Sequence, residues 1–173
     1  MYSSELPKKG EGEEHIHAKI VTANIIKNLF GYKFRLEYPI KLKDKGQFST
    51  DQHTFDIVFW KPNTMFEGLS GPMYVTDAME NFDNRALLYL SIKPNLDKTI
   101  ELVGEIDDYE KHTHKEQVLN DREAENMGRQ VFAPNVKFIR PKKEDIVAYK
   151  KMLAPTDDCE SIIKQLCFEA GIK

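Results

Sequence analysis

Apolar positions Ile16, Ile20, Ala23, Ile26 and Phe30 recur at steps of three and four, which predicts an amphipathic helix over 13–32. Glu13 and Glu14 suit the positive end of that helix, and Gly31 is a natural stop. The period then changes to two. Phe34, Leu36, Tyr38 and Ile40 alternate with polar residues, which predicts a strand with one buried face. A polar turn, "DKGQFSTDQ", leads into "HTFDIVFWK", a second strand that is apolar almost throughout and broken by Asp56. The short polar connection predicts a hairpin.

Residues 61–98 carry Pro and Gly breakers and read as an insert, with "DAMENFDNRALLYLSIK" a helix or a helix running into a strand. "KTIELVGEID" is the strongest strand pattern, with Ile100, Leu102 and Val103 ahead of the acids. "HKEQVLNDREAENMGRQVFA" predicts a helix whose buried side includes Val118, Ala124 and Met127. "NVKFIRP" is a short strand stopped by Pro141, and "KEDIVAYKKML" and "DDCESIIKQLCFEAG" are closing helices. The fold class is therefore α/β: a central mixed sheet flanked by helices, with an insert between the second and third strands. The strand–helix–strand unit over 99–140 should be a right-handed parallel crossover. Residues 1–12, with Pro7, Gly10 and Gly12, read as a flexible leader. Residues 13–173 read as one domain, with 61–98 its insert and 142–173 its C-terminal helices.

Length changes this picture little, since 173 residues suffice for one core without staples. The net charge of −3 and pI near 6.0 do not advertise a nucleic-acid partner. They do not exclude one, because acids in a site and local basic stripes cancel in the total. Cys159 and Cys167 match neither a CxxC pair nor a zinc ribbon, and read as reduced apolar-face residues. "MYSSELPKKGEGEEH" lacks the apolar core of a signal peptide, and no apolar run reaches membrane-spanning length. A soluble, cytoplasmic protein with no membrane partner is expected.

The candidate chemistry lies in the acids. Asp56 sits among Phe55, Ile57, Val58, Phe59 and Trp60, so it either faces solvent at a strand edge or is paired or metal-bound. In "VGEIDDYEKHTHK", Glu105 and Asp107 are two residues apart at a strand end, on one face, where a parallel strand meets its crossover. Mg²⁺ or Mn²⁺ favours oxygen ligands. Asp56, Glu105 and the carbonyl of Ile106 would supply such a set, which requires the two carboxylates within about 5 Å of each other. His112 and His114 are either solvated turn residues or serve acid–base or phosphate roles, and a zinc set is disfavoured for want of a nearby thiolate. His15 and His17 repeat the H-x-H spacing on the first helix, where Glu14 is a further candidate. Trp60 and Tyr109 are either core residues or base-stacking ones. Lys142, Lys143, Lys150 and Lys151 form either a phosphate-tracking stripe or a solvated helix face.

The order αββ(insert)βαβ, with Asp56 on one strand and Glu105 on the next, resembles the PD-(D/E)XK, or restriction-endonuclease-like, nucleases over residues 13–141. Within that superfamily "EIDDYEKHTHKEQVLNDREAENMG" and "VKFIRP" are similar to the short-patch-repair (Vsr-like) endonucleases. The resemblance implies a Mg²⁺- or Mn²⁺-dependent endonuclease acting on DNA rather than RNA. It matches Asp56 to the first metal-binding Asp, and Glu105, Asp107, His112 or His114, Asp121, Arg122 and Arg140 to the later motif positions. Metal ligands would be Asp56, Glu105, Ile106 and Asp107; Lys111, Arg122 and Arg140 would contact nucleic acid. The superfamily's usual lysine is Asp107 here, so Lys111, Lys115 or a histidine would take its place. Phe55 stands where Pro is usual, and Asp108 where many of the narrower branch have Gly. By analogy, a homodimer or a partner protein would help to grip both strands. The alternative function is a catalytically silent nuclease-like fold that binds nucleic acid or assembles with protein; Asp107 favours it.

Overall fold

The computed structural model describes residues 12–41, 52–80, 87–107, 115–147 and 155–172. Helix α1 spans Glu13–Phe30 and ends at Gly31, whose φ of 75° is left-handed and whose N–H bonds back to the Lys27 carbonyl. That is the expected stop, made by the residue with no Cβ to clash. Strands β1 (Lys33–Lys41) and β2 (Gln52–Trp60) pair antiparallel, as the hairpin reading requires. A separate small hairpin follows, β3 (Met65–Gly68) and β4 (Gly71–Tyr74), then α2 (Val75–Glu80) and α3 (Leu87–Asp97). β5 (Leu102–Gly104), α4 (Lys115–Val131) and β6 (Lys137–Ile139) form the parallel crossover. α5 (Lys143–Ile146) and α6 (Cys159–Glu169) complete the described elements.

The main sheet is mixed, in the order β1-β2-β5-β6, and β2 runs antiparallel to both of its neighbours. Helices cover both faces. Ala18, Ala23 and Ile26 of α1 and Ile163 and Cys167 of α6 pack with Leu36, Ile57, Phe59 and Leu102 on one side. Met79 of α2, Leu96 of α3 and Ala124 of α4 pack with Tyr38, Phe55, Val58 and Val103 on the other. Burial on both faces is why β2 reads as a nearly unbroken apolar run. No helix among the described residues is long and apolar enough to cross a membrane.

Several elements differ from expectation. The insert contains a hairpin as well as two helices. Regular β5 is only three residues long, yet the extended chain continues beyond it. The Glu105 N–H bonds to the Ile139 carbonyl at 3.0 Å and the Asp107 N–H to the Pro141 carbonyl at 2.9 Å. The helix expected over 143–153 makes one turn and stops, because Val147 is extended and bridges Pro155. Residues 1–11 and 148–154 lie outside the described residues.

The alternation in β1 also divides. Phe34 and Leu36 face the α1 side, but Tyr38 and Ile40 lie in the opposite cluster. β2 does the same, with Phe55 on one side and Ile57 and Phe59 on the other. The reversal falls where Glu37 takes a left-handed φ of 54° and the ladder skips the Glu37–Asp56 pair between Leu36↔Ile57 and Tyr38↔Phe55. Such a backbone costs about 1–3 kcal/mol in a non-glycine residue and persists only where the surroundings enforce it. Its consequence is that Glu37 and Asp56 both meet α1, at Lys19 and His15.

Cys159 and Cys167 are free and buried, and burial pushes the Cys167 thiol up to about 12. A neutral, covered thiol is unreactive. Both cysteines should therefore resist iodoacetamide in the folded protein at about pH 8 and react fully in guanidinium. Labelling of Cys167 in the native state would show that α6 opens readily.

Candidate functional site

Asp56 is 4% exposed, in a strand paired on both edges, so the solvent-facing reading does not hold. β2 and β5 share the pair Ile57↔Gly104, and one further step along that register sets Asp56 opposite Glu105. The two carboxyl groups come close enough for Glu105 to act on Asp56. Each acid also holds a histidine: His15 Nε2 lies 3.3 Å from Asp56 Oδ1, and His53 Nε2 lies 2.8 Å from Glu105 Oε1. The Ile106 N–H donates to Asp56 Oδ2 at 2.8 Å. The result is a chain of four ionisable groups, His15–Asp56–Glu105–His53, joining α1, β2 and the end of β5.

Burial pushes the Asp56 carboxyl up, but His15, Glu105 and the Ile106 amide outweigh it and hold the group well below the usual carboxylate range. Asp56 is therefore a fixed buried anion. Among the described residues no three His, Cys, Asp or Glu side chains form a ready cage for a metal ion. A hard cation does not need one, since Mg²⁺ is held by one or two carboxylates and keeps several waters. Asp56 and Glu105 fit that demand. The Ile106 backbone faces β2, while the N–H groups of Glu105 and Asp107 on either side turn to the β6 side. In extended chain the C=O points the same way as the N–H, so the Ile106 carbonyl fits as a third oxygen.

Asp107 has another partner. It lies 3.2 Å from Arg140, which also faces Asp121 at 3.7 Å and Glu125 at 3.5 Å. Burial works against the Arg140 charge, but these carboxylates and Glu105 outweigh it and raise its pKa further. Arg140 thus ties the ends of β5 and β6 to α4, and its charge is met within the protein. Glu105 is bonded to His53, and Asp107 to Arg140.

Arg122 is exposed on α4, and Glu14 lies 3.7 Å from Lys143. Trp60 is a core residue whose N–H reaches Thr76 Oγ1 at 3.3 Å. Lys111, His112 and His114 lie outside the described residues, as do Asp108, Tyr109 and the Lys115 side chain.

Three residues at the site carried no expectation: His53, Lys19 and Glu37. The buried face of α1 includes the polar Lys19 and Thr22 as well as Ala18, Ala23 and Ile26, so it is rotated from the stripe that the apolar spacing predicts. Lys19 is 2% exposed and forms an ion pair with Glu37. The available signal was the four-residue step from His15 to Lys19, which places both on one helical face.

Comparison with protein-family models, with curated proteins and with solved structures finds no match to this chain.

Proposed function

We infer that the chain is a divalent-metal-dependent nuclease that hydrolyses phosphodiester bonds, in DNA before RNA, on a restriction-endonuclease-like core. The observation that carries this reading is the meeting of Asp56 and Glu105 across β2 and β5. A mixed sheet with this element order is the scaffold that the resemblance implies, with Asp56 in the middle of β2 and Glu105 just past the end of β5. Asp56 and Glu105, with the Ile106 carbonyl, would hold Mg²⁺ or Mn²⁺. The ion would supply Lewis acidity and lower the pKa of a bound water.

The chain's own groups do the rest. Asp56 stays ionised when buried, so a cation finds its charge in place. His15 and His53 set the directions of the two carboxylates and sit within proton-transfer reach of them. Arg140, engaged by Asp107, Asp121 and Glu125, fixes the strand ends that carry Glu105. Exposed Arg122 would supply a phosphate contact. Pairing with a second copy or with another protein would widen the grip on duplex.

The test is cleavage of supercoiled plasmid, linear duplex, single-stranded DNA and structured RNA by the purified full-length protein in Mg²⁺ and in Mn²⁺. Nicking or cutting that EDTA abolishes supports the reading. No cleavage of any of them overturns it in favour of the silent nucleic-acid-binding or assembly module. One observation favours that second reading: Asp107, in the place of the superfamily's lysine, is engaged with Arg140.

A further inference from the structure

We propose that the cavity between the end of α1 and the exposed face of α6 binds a small apolar carboxylate, with Lys164 meeting its head group.

The cavity has a volume of about 480 Å³. It is lined by Phe30 of α1, by Ser161, Lys164, Gln165 and Phe168 of α6, and by Ile172 just beyond that helix. Small-molecule sites usually measure about 300–1,000 Å³. The four α6 residues are spaced three and four apart, so they share one helical face. The way α6 ends adds the remaining wall. Gly171 takes a left-handed φ of 92°, its N–H bonds to the Phe168 carbonyl at 3.0 Å, and the Ile172 N–H bonds to the Cys167 carbonyl at 2.9 Å. That pair of bonds turns the chain back and sets Ile172 against the helix it has just left. The result is a wall of two rings and an aliphatic side chain, in which Phe168 is still 73% exposed. An exposed apolar surface of this kind marks a place where something binds.

Charge selects the occupant. The lining holds one cation and no acid. Ser161 Oγ donates to the Asp158 carbonyl at 3.3 Å, and Gln165 Nε2 donates to Glu169 Oε1 at 3.1 Å, so both of these polar groups are already engaged. Lys164 makes no ion pair or hydrogen bond among the described residues. An ammonium at the rim of an apolar wall suits an anion with an apolar body, its head on Lys164 and its body over Phe168, Phe30 and Ile172. A second copy of the chain would bring its own Lys164 to the same patch, and like charges would meet. The site is separate from the acids described above. Phe30 stands fifteen residues from His15 on α1, about 22 Å along the helix, so the proposal does not depend on the nuclease reading.

Calorimetric titration of the full-length protein with sodium decanoate, kept below the concentration at which it forms micelles, tests this. The wild type should bind one decanoate per chain and saturate. Lys164→Met should weaken binding at least tenfold, the weight of one charge-assisted hydrogen bond, and Lys164→Arg should restore it. Phe168→Ser should also weaken it at least tenfold. Both positions are exposed, so the variants should keep the circular dichroism of the wild type. Absence of saturable binding, a Lys164→Met or Phe168→Ser that binds as the wild type does, or decylamine binding as tightly as decanoate would each overturn the proposal. So would self-association of the wild type that Phe168→Ser abolishes, which would make the patch an interface between copies.

Discussion

Asp56→Ala should destabilise the protein by roughly 3 kcal/mol, and Asp56→Asn by clearly less; charge-assisted hydrogen bonds contribute about 1.5–3 kcal/mol, and an orphaned buried donor costs a similar amount. A carboxylate buried beside another acid can itself be a source of strain. The direction of its pKa decides. Burial disfavours the charge, yet His15, Glu105 and the Ile106 N–H together favour it by more, so the folded protein stabilises ionised Asp56. Alanine removes the acceptor and leaves the Ile106 N–H buried without it. Asparagine keeps an oxygen for that N–H and gives up the charge. Since the folded pKa lies below the ordinary value of about 3.9, this contribution is fully present above pH 4 or so and is lost as the pH falls through the folded pKa. Guanidinium unfolding near neutral pH should therefore separate wild type, Asp56→Asn and Asp56→Ala in that order. The gap between wild type and Asp56→Asn should close in strong acid. An alanine variant as stable as wild type would mean that Asp56 is tolerated at a net cost, as a purely functional group.

The parts of this fold that could be read from sequence are those whose chemistry is local. Gly31 ends α1 through its own left-handed φ. The crossover was legible because β5 is buried and reads as an apolar run, and a helical pattern followed by the short strand β6 comes after it. Asp56 was legible because an acid inside such a run is expensive unless something answers it. The reversal of β1 was not legible, because when both faces are buried the period-two pattern is the same whether Tyr38 follows Leu36 or crosses to the other face. The single non-local event, the skipped Glu37–Asp56 pair, leaves no trace in composition. His53 and Lys19 were missed for a related reason. Spacing reports neighbours on one element, whereas His53 reaches Glu105 and Lys19 reaches Glu37 across elements. A lysine on a helix also reads as its wet face until a buried acid is found beneath it. The hairpin β3–β4 escaped because four-residue strands are too short to show a period, although Gly71, with φ of 127°, follows its two-residue turn.

Glu105→Gln should leave the fold intact and reduce metal-dependent cleavage at least ~100-fold, since a metal ion contributes several kcal/mol of charge stabilisation and each 1.36 kcal/mol or so is tenfold in rate. The amide keeps the shape of the acid and retains hydrogen-bonding capacity toward His53 and Asp56, so the strand ends stay in place. What disappears is the second negative charge that would retain the cation beside Asp56. Binding of nucleic acid should persist or tighten at the same salt concentration, because one negative charge facing the phosphates is gone. Asp107→Asn provides the contrast. Its side chain engages Arg140 at 3.2 Å, so it should cost stability while leaving the cleavage rate within about tenfold, the loss falling on the fold and not on the ion. Cleavage rate, filter binding and thermal melting of the two variants, measured side by side, separate the roles. If Asp107→Asn abolishes cleavage while Glu105→Gln retains it, the cation is held on the Arg140 side of the sheet end, and the Asp56–Glu105 assignment falls.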